Sequence, residues 1–281
     1  MVSGFVMANK DEKISKSKSN SKMSPEVLLK EKSADITRYW AATGSLGRDI
    51  IFSEEEFKNG AKLVNKIWNA SKFVISLLDG YSPKEINLKP MDEWIIAKFN
   101  DMFDKFKDYF EKYEIGLAMG ELEKFFWNFC DNYIEIVKRR LYNPDIFGQD
   151  ATDSAKYASY TVLLGMLKLF AIYLPHITEE IYQSYFREFE NEKSIHLCII
   201  GKIDAKVGKE IIADGDDVVQ IVSKIRQYKS ENNLSLKEEL EKVKLVGYND
   251  FVKTVDYDLK AVGSIKNLEF AVGDKDIIIE K

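Results

Sequence analysis

Residues 53–78 have the sequence SEEEFKNGAKLVNKIWNASKFVISLL, which carries the clearest two-faced pattern in the chain. Ser53 followed three residues later by Glu56 is the signature of a capping box, so we expect a helix to begin here and to extend to about Leu78. Apolar residues recur along it at helical spacing and should face a core. These are Leu63, Ile67, Ala70 and Val74.

The opposite face of this predicted helix is basic and polar. It presents Lys58, Lys62, Asn65, Asn69 and Lys72. Residues 58–72 contain four lysines and no Asp or Glu. Solvation alone is the ordinary explanation of a lysine-rich face, but the lack of acidic residues and the interleaved asparagines favour contact with RNA phosphates. The pattern by itself leaves both explanations open.

Helical patterns continue on the C-terminal side. Apolar faces predict helices at residues 91–112, 114–141, 154–173 and 177–189. A polar loop is expected at residues 143–153, and His176 is expected to be a capping or core-edge residue. The aromatic run Phe125-Phe126-Trp127 is assigned to the core rather than to base stacking. Long antiparallel helices with short connections are typical of a helix bundle, so the predicted fold class is mainly α.

The character of the sequence changes after residue 192. Strands are predicted at residues 195–200, 242–246, 268–272 and 277–279, and helices at 215–229 and 250–262. This alternation indicates a small α+β subdomain. The expected domains are a segment at 1–52, a helical bundle at 53–192 and the α+β subdomain at 193–281.

Upstream of the bundle, residues 13–20 have the sequence KISKSKSN, with three lysines among small hydroxylated residues. No apolar periodicity runs through this stretch, so a surface loop is expected. Lysine ammonium groups on flexible stems suit a phosphate whose charge moves during a reaction. A solvated basic linker would have the same composition, and short motifs of this kind carry a real false-positive risk.

The sequence around this loop gives it a context. The KISKS stretch at 13–17, preceded by GFVM at 4–7 and followed by SADITRYWAA at 33–42, resembles the signature loop (consensus KMSKS) of class I aminoacyl-tRNA synthetases. Within that family, the sequence Trp68-Asn69-Ala70 favours the valine-specific branch over the isoleucine-specific one. Three blocks resemble the valine-specific branch, at residues 62–74, 125–135 and 174–182.

The resemblance implies that the whole enzyme activates valine with ATP and Mg²⁺ and then transfers it to tRNA(Val). Lys16 would contact an ATP phosphate directly and Lys13 would support it, so these two lysines are the expected catalytic residues. Ser15 and Ser17 complete the implied ATP-binding set. The bundle would bind the anticodon region of tRNA(Val). Basic residues at a helix end add expected phosphate contacts, namely Lys138, Arg139 and Arg140.

Other parts of the family pattern are missing. The partner motif (consensus HIGH) requires two histidines around Ile-Gly, whereas His176 and His196 lie in other contexts. We therefore expect the C-terminal portion of a larger enzyme, which reaches ATP and valine through a catalytic domain that it does not contain and is inactive alone. An isoleucine-type fragment and a non-catalytic tRNA-binding module remain as alternatives.

Composition sets wider bounds. The net charge is −5, but residues 1–50 carry nine basic against six acidic residues, so a polyanion would meet a local basic surface. Two cysteines in apolar contexts fit a cytoplasmic protein, and with only two histidines and no metal spacing among these residues no metal site is expected. No cofactor is expected to bind this chain alone, because the resemblance implies that it holds only half of an ATP site. No apolar run approaches the roughly 20 residues of a membrane span. A monomer is expected.

Overall fold

A computed structural model describes residues 4–15, 25–81, 83 and 86–280 of the chain. The N-terminal segment contains a short parallel pair, β1 (Val6–Met7) with β2 (Ile50–Ile51). Two helices lie between these strands in the sequence, α1 (Pro25–Glu31) and α2 (Ala34–Ala42). The long helix α3 (Glu54–Leu77) follows, and the Ser53 hydroxyl caps it by accepting a hydrogen bond from the Glu56 amide at 3.3 Å.

The middle of the chain is helical, as predicted. The helices are α4 (Pro90–Glu111), α5 (Ile115–Asn128), α6 (Ile134–Tyr142), α7 (Pro144–Phe147), α8 (Gln149–Phe170) and α9 (Pro175–Ser184). A π-helical segment (Phe129–Tyr133) joins α5 to α6, which divides the single helix predicted at 114–141. In the described part of the chain no helix is both long enough and apolar enough to cross a membrane.

The C-terminal part is a small α+β arrangement. Its elements are α10 (Ile211–Glu231), β3 (Leu240–Val246), α11 (Asp250–Thr254), α12 (Asp256–Gly263), β4 (Ile265–Ala271) and β5 (Asp276–Glu280). β3 is the central strand, parallel to β4 with Leu240 opposite Ile265, and antiparallel to β5 with Val243 opposite Ile279. The predicted fold class, mainly helical with a small α+β part, is confirmed.

The chain forms two compact units, each assembled from three separate stretches. The first unit contains residues 1–76, 102–126 and 163–202, and the second contains residues 77–101, 127–162 and 203–281. The helices α4 and α8 therefore contribute residues to both units. The sequence-based boundaries at residues 52 and 192 remain a prediction.

Three local predictions were wrong. Residues 195–197 form a 3₁₀ turn rather than the start of a strand, because the Glu179 carboxylate accepts from the Ser194 hydroxyl at 2.9 Å and from the next amide at 3.0 Å. Residues 143–153 are not a loop, since α7 and the first turn of α8 occupy them, separated by Gly148 at φ +84°. The predicted helix at 250–262 is divided at Val255 into α11 and α12.

The aromatic run at 125–127 is mostly buried. Phe125 and Phe126 are 4% and 1% exposed, as expected for core residues, whereas Trp127 is 38% exposed. Successive residues of a helix point about 100° apart, so three neighbours cannot all face the same core. The core prediction was therefore wrong for Trp127.

The first unit has an apolar core around the N-terminal segment and α3. Three of the four residues predicted for that core are buried, namely Leu63, Ile67 and Val74. Ala70 is only partly buried. Trp40 on α2 stacks on Phe57 of α3 with ring centroids 5.3 Å apart. This contact joins the N-terminal segment to the first long helix through buried aromatic surface.

The second unit contains a fully buried charge. The Arg140 side chain on α6 has no exposed surface and donates to Asp92 Oδ2 on α4 and to Asp258 Oδ1 on α12, each at 2.9 Å. It also donates to the Ala151 carbonyl at 3.0 Å, and the Tyr133 hydroxyl donates to Asp92 at 2.8 Å. These hydrogen bonds connect α6 to three other helices, and they compensate the cost of burying the guanidinium.

Two carboxylates face this one guanidinium. Burial raises the pKa of Asp258 to about 7, with Arg140 opposing the shift and the Asp92 carboxylate adding to it. Within the described residues, Oδ2 of Asp258 is buried and has no hydrogen-bond partner, so it is the oxygen free to carry a proton. Between about pH 4 and pH 7, the folded chain therefore retains at Asp258 a proton that the unfolded chain has already released, because an ordinary Asp has a pKa of 3.8.

The substitution Asp258→Asn should flatten the pH dependence of stability. Because the folded-state pKa is raised, this site's contribution to the free energy of unfolding is complete below the unfolded pKa and is lost as the pH rises through about 7. One proton gives a slope of at most about 1.4 kcal/mol per pH unit. Asn keeps the oxygen that accepts from Arg140 but cannot titrate.

Urea unfolding of the wild type and of Asp258→Asn between about pH 4.5 and 8 measures how steeply the free energy of unfolding changes with pH. The matched control is Asp250→Asn, which removes an exposed carboxylate that pairs with Lys253 on the surface. It should leave the slope above pH 5 or so unchanged, because the pKa of Asp250 is lowered by its hydrogen bond to Lys253. An unaltered slope in Asp258→Asn would show that Asp258 stays ionised when folded.

Candidate nucleic-acid interface

The described start of the lysine loop, residues 13–15, lies beside the short parallel pair. Lys13 forms an antiparallel bridge with Met7, and the Ile14 amide donates into β1 at 3.0 Å. Gly4 allows this strand to approach the chain before β2, because a Cβ at Gly4 would lie only 2.0 Å from the Arg48 carbonyl oxygen. The base of the loop is thus fixed by backbone contacts.

Lys13 is the described member of the predicted catalytic pair. Its ammonium nitrogen lies 3.4 Å from the centroid of the Phe5 ring, and both residues are exposed. Ser15 is partly buried. Lys16 and Ser17 lie outside the described residues. The structure therefore places the first lysine of the motif at the surface, where the strand pairing ends.

Helix α2 clamps the start of α9 and the end of α8, all within the first unit. The Asp35 carboxylate accepts from the amides of His176 at 3.2 Å and Ile177 at 2.8 Å, and its Oδ1 lies 2.8 Å from His176 Nδ1. Arg38 donates to the carbonyls of residues 172 and 173 at 2.8 and 3.0 Å. An acid at a helix start and a base at a helix end match the helix dipoles. The prediction of a capping or core-edge residue was wrong for His176, because it lies in the first turn of α9 with an exposed side chain and its own amide is capped by Asp35.

The residues predicted to face RNA form one exposed stripe on α3. Their spacing alternates between four and three residues, so they follow one side of the helix. The exposed residues are Lys58, Lys62, Asn65, Asn69 and Lys72. Within the part of the chain that the structure describes, none of these three lysines has a carboxylate partner. A stripe of exposed cations with no acidic residue between positions 58 and 72 is the kind of surface that binds a phosphate backbone.

Sequence reasoning missed two aromatic residues beside this stripe. Phe73 is 36% exposed, and the Trp68 ring centroid lies 5.7 Å from the Lys72 ammonium nitrogen. An exposed ring next to cations can stack on an unpaired base. The available signal was that Phe73 follows Asn69 by four residues, which places it on the polar stripe rather than with the buried Val74.

The three basic residues at the end of α6 have different environments. Lys138 pairs with Glu135 at 2.5 Å, and Arg139 donates a long hydrogen bond of 3.4 Å to the Ser264 hydroxyl. Both line a surface cleft. Arg140, in contrast, is the buried residue that binds Asp92 and Asp258. The prediction that Arg140 contacts tRNA was wrong, because a phosphate cannot reach a side chain with no exposed surface.

Two protein-family models match the chain. One, described as the anticodon-binding domain of tRNA ligase, matches residues 92–245, which is more than half of the 281 residues. The other, described as tRNA synthetases class I (I, L, M and V), matches residues 1–53 and so includes the lysine loop. The helix α3 lies between the two matched ranges.

Curated relatives called Valine–tRNA ligase align with nearly all of the chain. The protein of Wolbachia pipientis wMel is 36% identical over 100% of this chain and 32% of its own length. That of Rickettsia canadensis (strain McKiel) is 35% identical over 100% of this chain and 35% of its own length. The chain therefore spans about a third of the length of the curated relatives it matches.

A solved structure has the same fold at low identity. It is the ternary complex of Agrobacterium radiobacter K84 LeuRS with tRNA and LeuAMS. The match has a TM-score of 0.50 and 14% identity, and it covers 99% of this chain and 33% of that chain. At this identity the likeness concerns the fold alone.

The substitution Asp35→Ala should release the start of α9 from α2. It removes the acceptor of two backbone amides, and a hydrogen bond to a charged group contributes about 1.5–3 kcal/mol. We expect the free energy of unfolding to fall by roughly 2–4 kcal/mol. Urea unfolding and amide hydrogen exchange at His176 and Ile177 measure the effect. Asp35→Asn keeps one acceptor oxygen and should lose less, so equal losses would contradict a role for the charge.

Proposed function

The chain belongs to the class I tRNA ligases that carry an anticodon-binding domain, and on that premise we propose that it is the signature-loop and anticodon-binding portion of a valine–tRNA ligase. The whole enzyme would use ATP to join valine to tRNA(Val). The observation that carries the proposal is the acid-free stripe of exposed lysines and asparagines on α3. Relatives called Valine–tRNA ligase, 35–36% identical, support the choice of amino acid.

In the proposed reaction the valine carboxylate attacks the α-phosphate of ATP. A carboxylate–phosphorus bond forms, the bond to the β-phosphate breaks, and negative charge builds on the departing pyrophosphate. Lys13 and Lys16 would stabilise that charge, and the hydroxyls of Ser15 and Ser17 would bind phosphate oxygens. The exposed position of Lys13 at the end of the strand pairing supports this role. Mg²⁺ would accompany ATP as part of the substrate.

tRNA(Val) would bind the α3 stripe through its phosphates. Lys58, Lys62 and Lys72 supply the charge, while Asn65 and Asn69 supply amide donors and acceptors between them. Phe73 at the end of the stripe offers a ring on which an unpaired anticodon base can stack. Lys138 and Arg139 form a second group of phosphate contacts on α6.

Two other functions are less well supported. An isoleucine-type ligase would have a different block around Trp68, and the relatives described above are called valine ligases. A non-catalytic tRNA-binding module would have no need of a phosphate-binding loop with the flanks of the class I pattern. We also propose a cytoplasmic monomer. Within the described residues neither Cys130 nor Cys198 forms a disulfide, which fits the reducing cytoplasm.

The substitution Lys16→Ala, made in the full-length enzyme, should lower adenylate formation far more than tRNA affinity. Loss of one transition-state charge contact costs roughly 100-fold in rate, whereas tRNA binding should change by less than about 2-fold because the proposed role of Lys16 is to bind ATP rather than tRNA. Valine-dependent exchange of pyrophosphate into ATP measures the first quantity, and filter binding of tRNA(Val) measures the second.

The matched control for this prediction is Lys18→Ala, which removes a lysine of the same loop just outside the five-residue motif. It should keep most of the exchange rate. Equal losses in exchange and tRNA binding for Lys16→Ala would contradict the ATP role, and so would a loss of the same size in the control.

Neutralising the α3 stripe should make tRNA binding less sensitive to salt. In the triple variant Lys58→Ala, Lys62→Ala and Lys72→Ala, the slope of log affinity against log salt should become shallower by about 0.7–0.9 for each lost phosphate contact. Titration of labelled tRNA(Val) at several KCl concentrations measures the slope.

A control triple variant removes the same charge from exposed lysines elsewhere, at positions 193, 206 and 224. It should keep a slope closer to that of the wild type. If the two triple variants have the same slope, the tRNA does not bind preferentially to α3.

A further inference from the structure

A second candidate binding site lies in the α+β part, away from α3 in the sequence. A cleft of about 270 Å³ opens between α6, α10, the end of α12 and the loop that follows α10. Apolar residues form much of its lining, namely Val222, Ile225, Leu236, Ala261 and Val262. A cleft of this size holds one ring system rather than a large ligand.

The rim of the cleft is strongly basic. Its charged residues are Lys138, Arg139, Arg226, Lys237 and Glu135. Glu135 is the single acidic residue among the described residues that line the cleft, and it is already paired with Lys138 at 2.5 Å. An apolar floor under a rim with excess positive charge favours an occupant that combines a flat apolar group with negative charge.

Lys229 fixes one wall of the cleft. This lysine is buried, and its ammonium group donates to the carbonyls of Leu236 at 3.0 Å, Glu238 at 2.6 Å and Gly263 at 2.7 Å. These bonds tie the loop after α10 to the end of α12. Burial lowers the pKa of Lys229, and the positive charge of Arg139 adds to that effect although Glu238 opposes it. The wall is therefore preformed by these three hydrogen bonds.

The two arginines are held at the cleft but remain available. Arg226 donates to the carbonyl of Asp131 in the π-helical segment at 3.1 Å, and Arg139 reaches the Ser264 hydroxyl at 3.4 Å. In the described part of the chain neither guanidinium pairs with a carboxylate. Each planar group has five donors, so several can still bind a phosphate. π-helical turns often lie at functional sites because they redirect nearby groups.

We propose that this cleft binds one unstacked nucleotide of the tRNA, with the base against the apolar floor and its phosphate on Arg139 and Arg226. The inference rests on the proposed function, which supplies RNA as the polyanion. Single bases that leave a stack are bound by apolar or aromatic surface together with arginine planes. A peptide made only of acidic residues has the charge but lacks the flat ring that this floor would cover.

Fluorescence-anisotropy titration of the chain with end-labelled tRNA(Val) transcript tests the proposal. Arg139→Ala and Arg226→Ala should each weaken binding roughly 10-fold and lower the salt slope by about 0.7–0.9. Leu236→Ser changes an apolar side chain that is 60% exposed, so it should preserve the fold. It should weaken binding about 3-fold or more without altering the salt slope, because it removes base contact rather than charge.

The matched control is Lys224→Ala, which removes one exposed positive charge from α10 outside the cleft. The proposal is overturned if the two arginine variants bind as this control does while the wild type binds tRNA(Val). It is also overturned if a poly-glutamate peptide binds the wild type, binds both arginine variants more weakly, and tRNA(Val) binds these variants as tightly as it binds the wild type. Failure of the wild type to bind tRNA(Val) would instead refute the proposed function on which the cleft assignment rests.

Discussion

The buried guanidinium of Arg140 is the constraint on which the second unit depends. A charge removed from water must be matched by charged or polar partners, and removing one partner of a buried pair is strongly destabilising. Asp92, Asp258 and the Ala151 carbonyl supply those partners. Since they belong to α4, α12 and α8, the ion pair fixes the position of α12 against α6. The cleft is bordered by α6 and the end of α12, the two helices that the Arg140–Asp258 pair joins.

In the first unit, backbone groups at helix ends are the polar groups that need hydrogen-bond partners. Asp35 and Arg38 lie on the same short helix and satisfy amides at the start of α9 and carbonyls at the end of α8. Unsatisfied groups at helix ends are costly when buried. The N-terminal segment is therefore attached to the bundle by polar contacts as well as by the stack of Trp40 on Phe57. The base of the lysine loop belongs to the same unit and pairs with β1.

Local patterns were sufficient for the helices but not for contacts between distant residues. The period of apolar residues in 53–78 gave both the helix and its exposed side, because each depends on neighbours within a few positions. Arg139 and Arg140 look equivalent in the sequence, yet one is at a rim and the other is buried. The difference depends on Asp258, which is 118 residues from Arg140. The turn at residue 195 was also missed because it depends on a distant contact: the Ile195 amide donates to the Glu179 carboxylate on α9.

The described cations discussed above fall into two groups: buried ones that stabilise the fold and exposed ones that can bind RNA. Arg140 and Lys229 have their donors directed at carboxylates or carbonyls inside the protein, so they shape the fold and add little to the field outside. The exposed lysines of α3 and the arginines of the cleft carry their charge in solvent, where it can displace the counterions of an RNA. A net charge of −5 is therefore no obstacle to RNA binding. A polyanion responds to the local potential of these surfaces, and the acidic remainder of the protein disfavours other modes of contact.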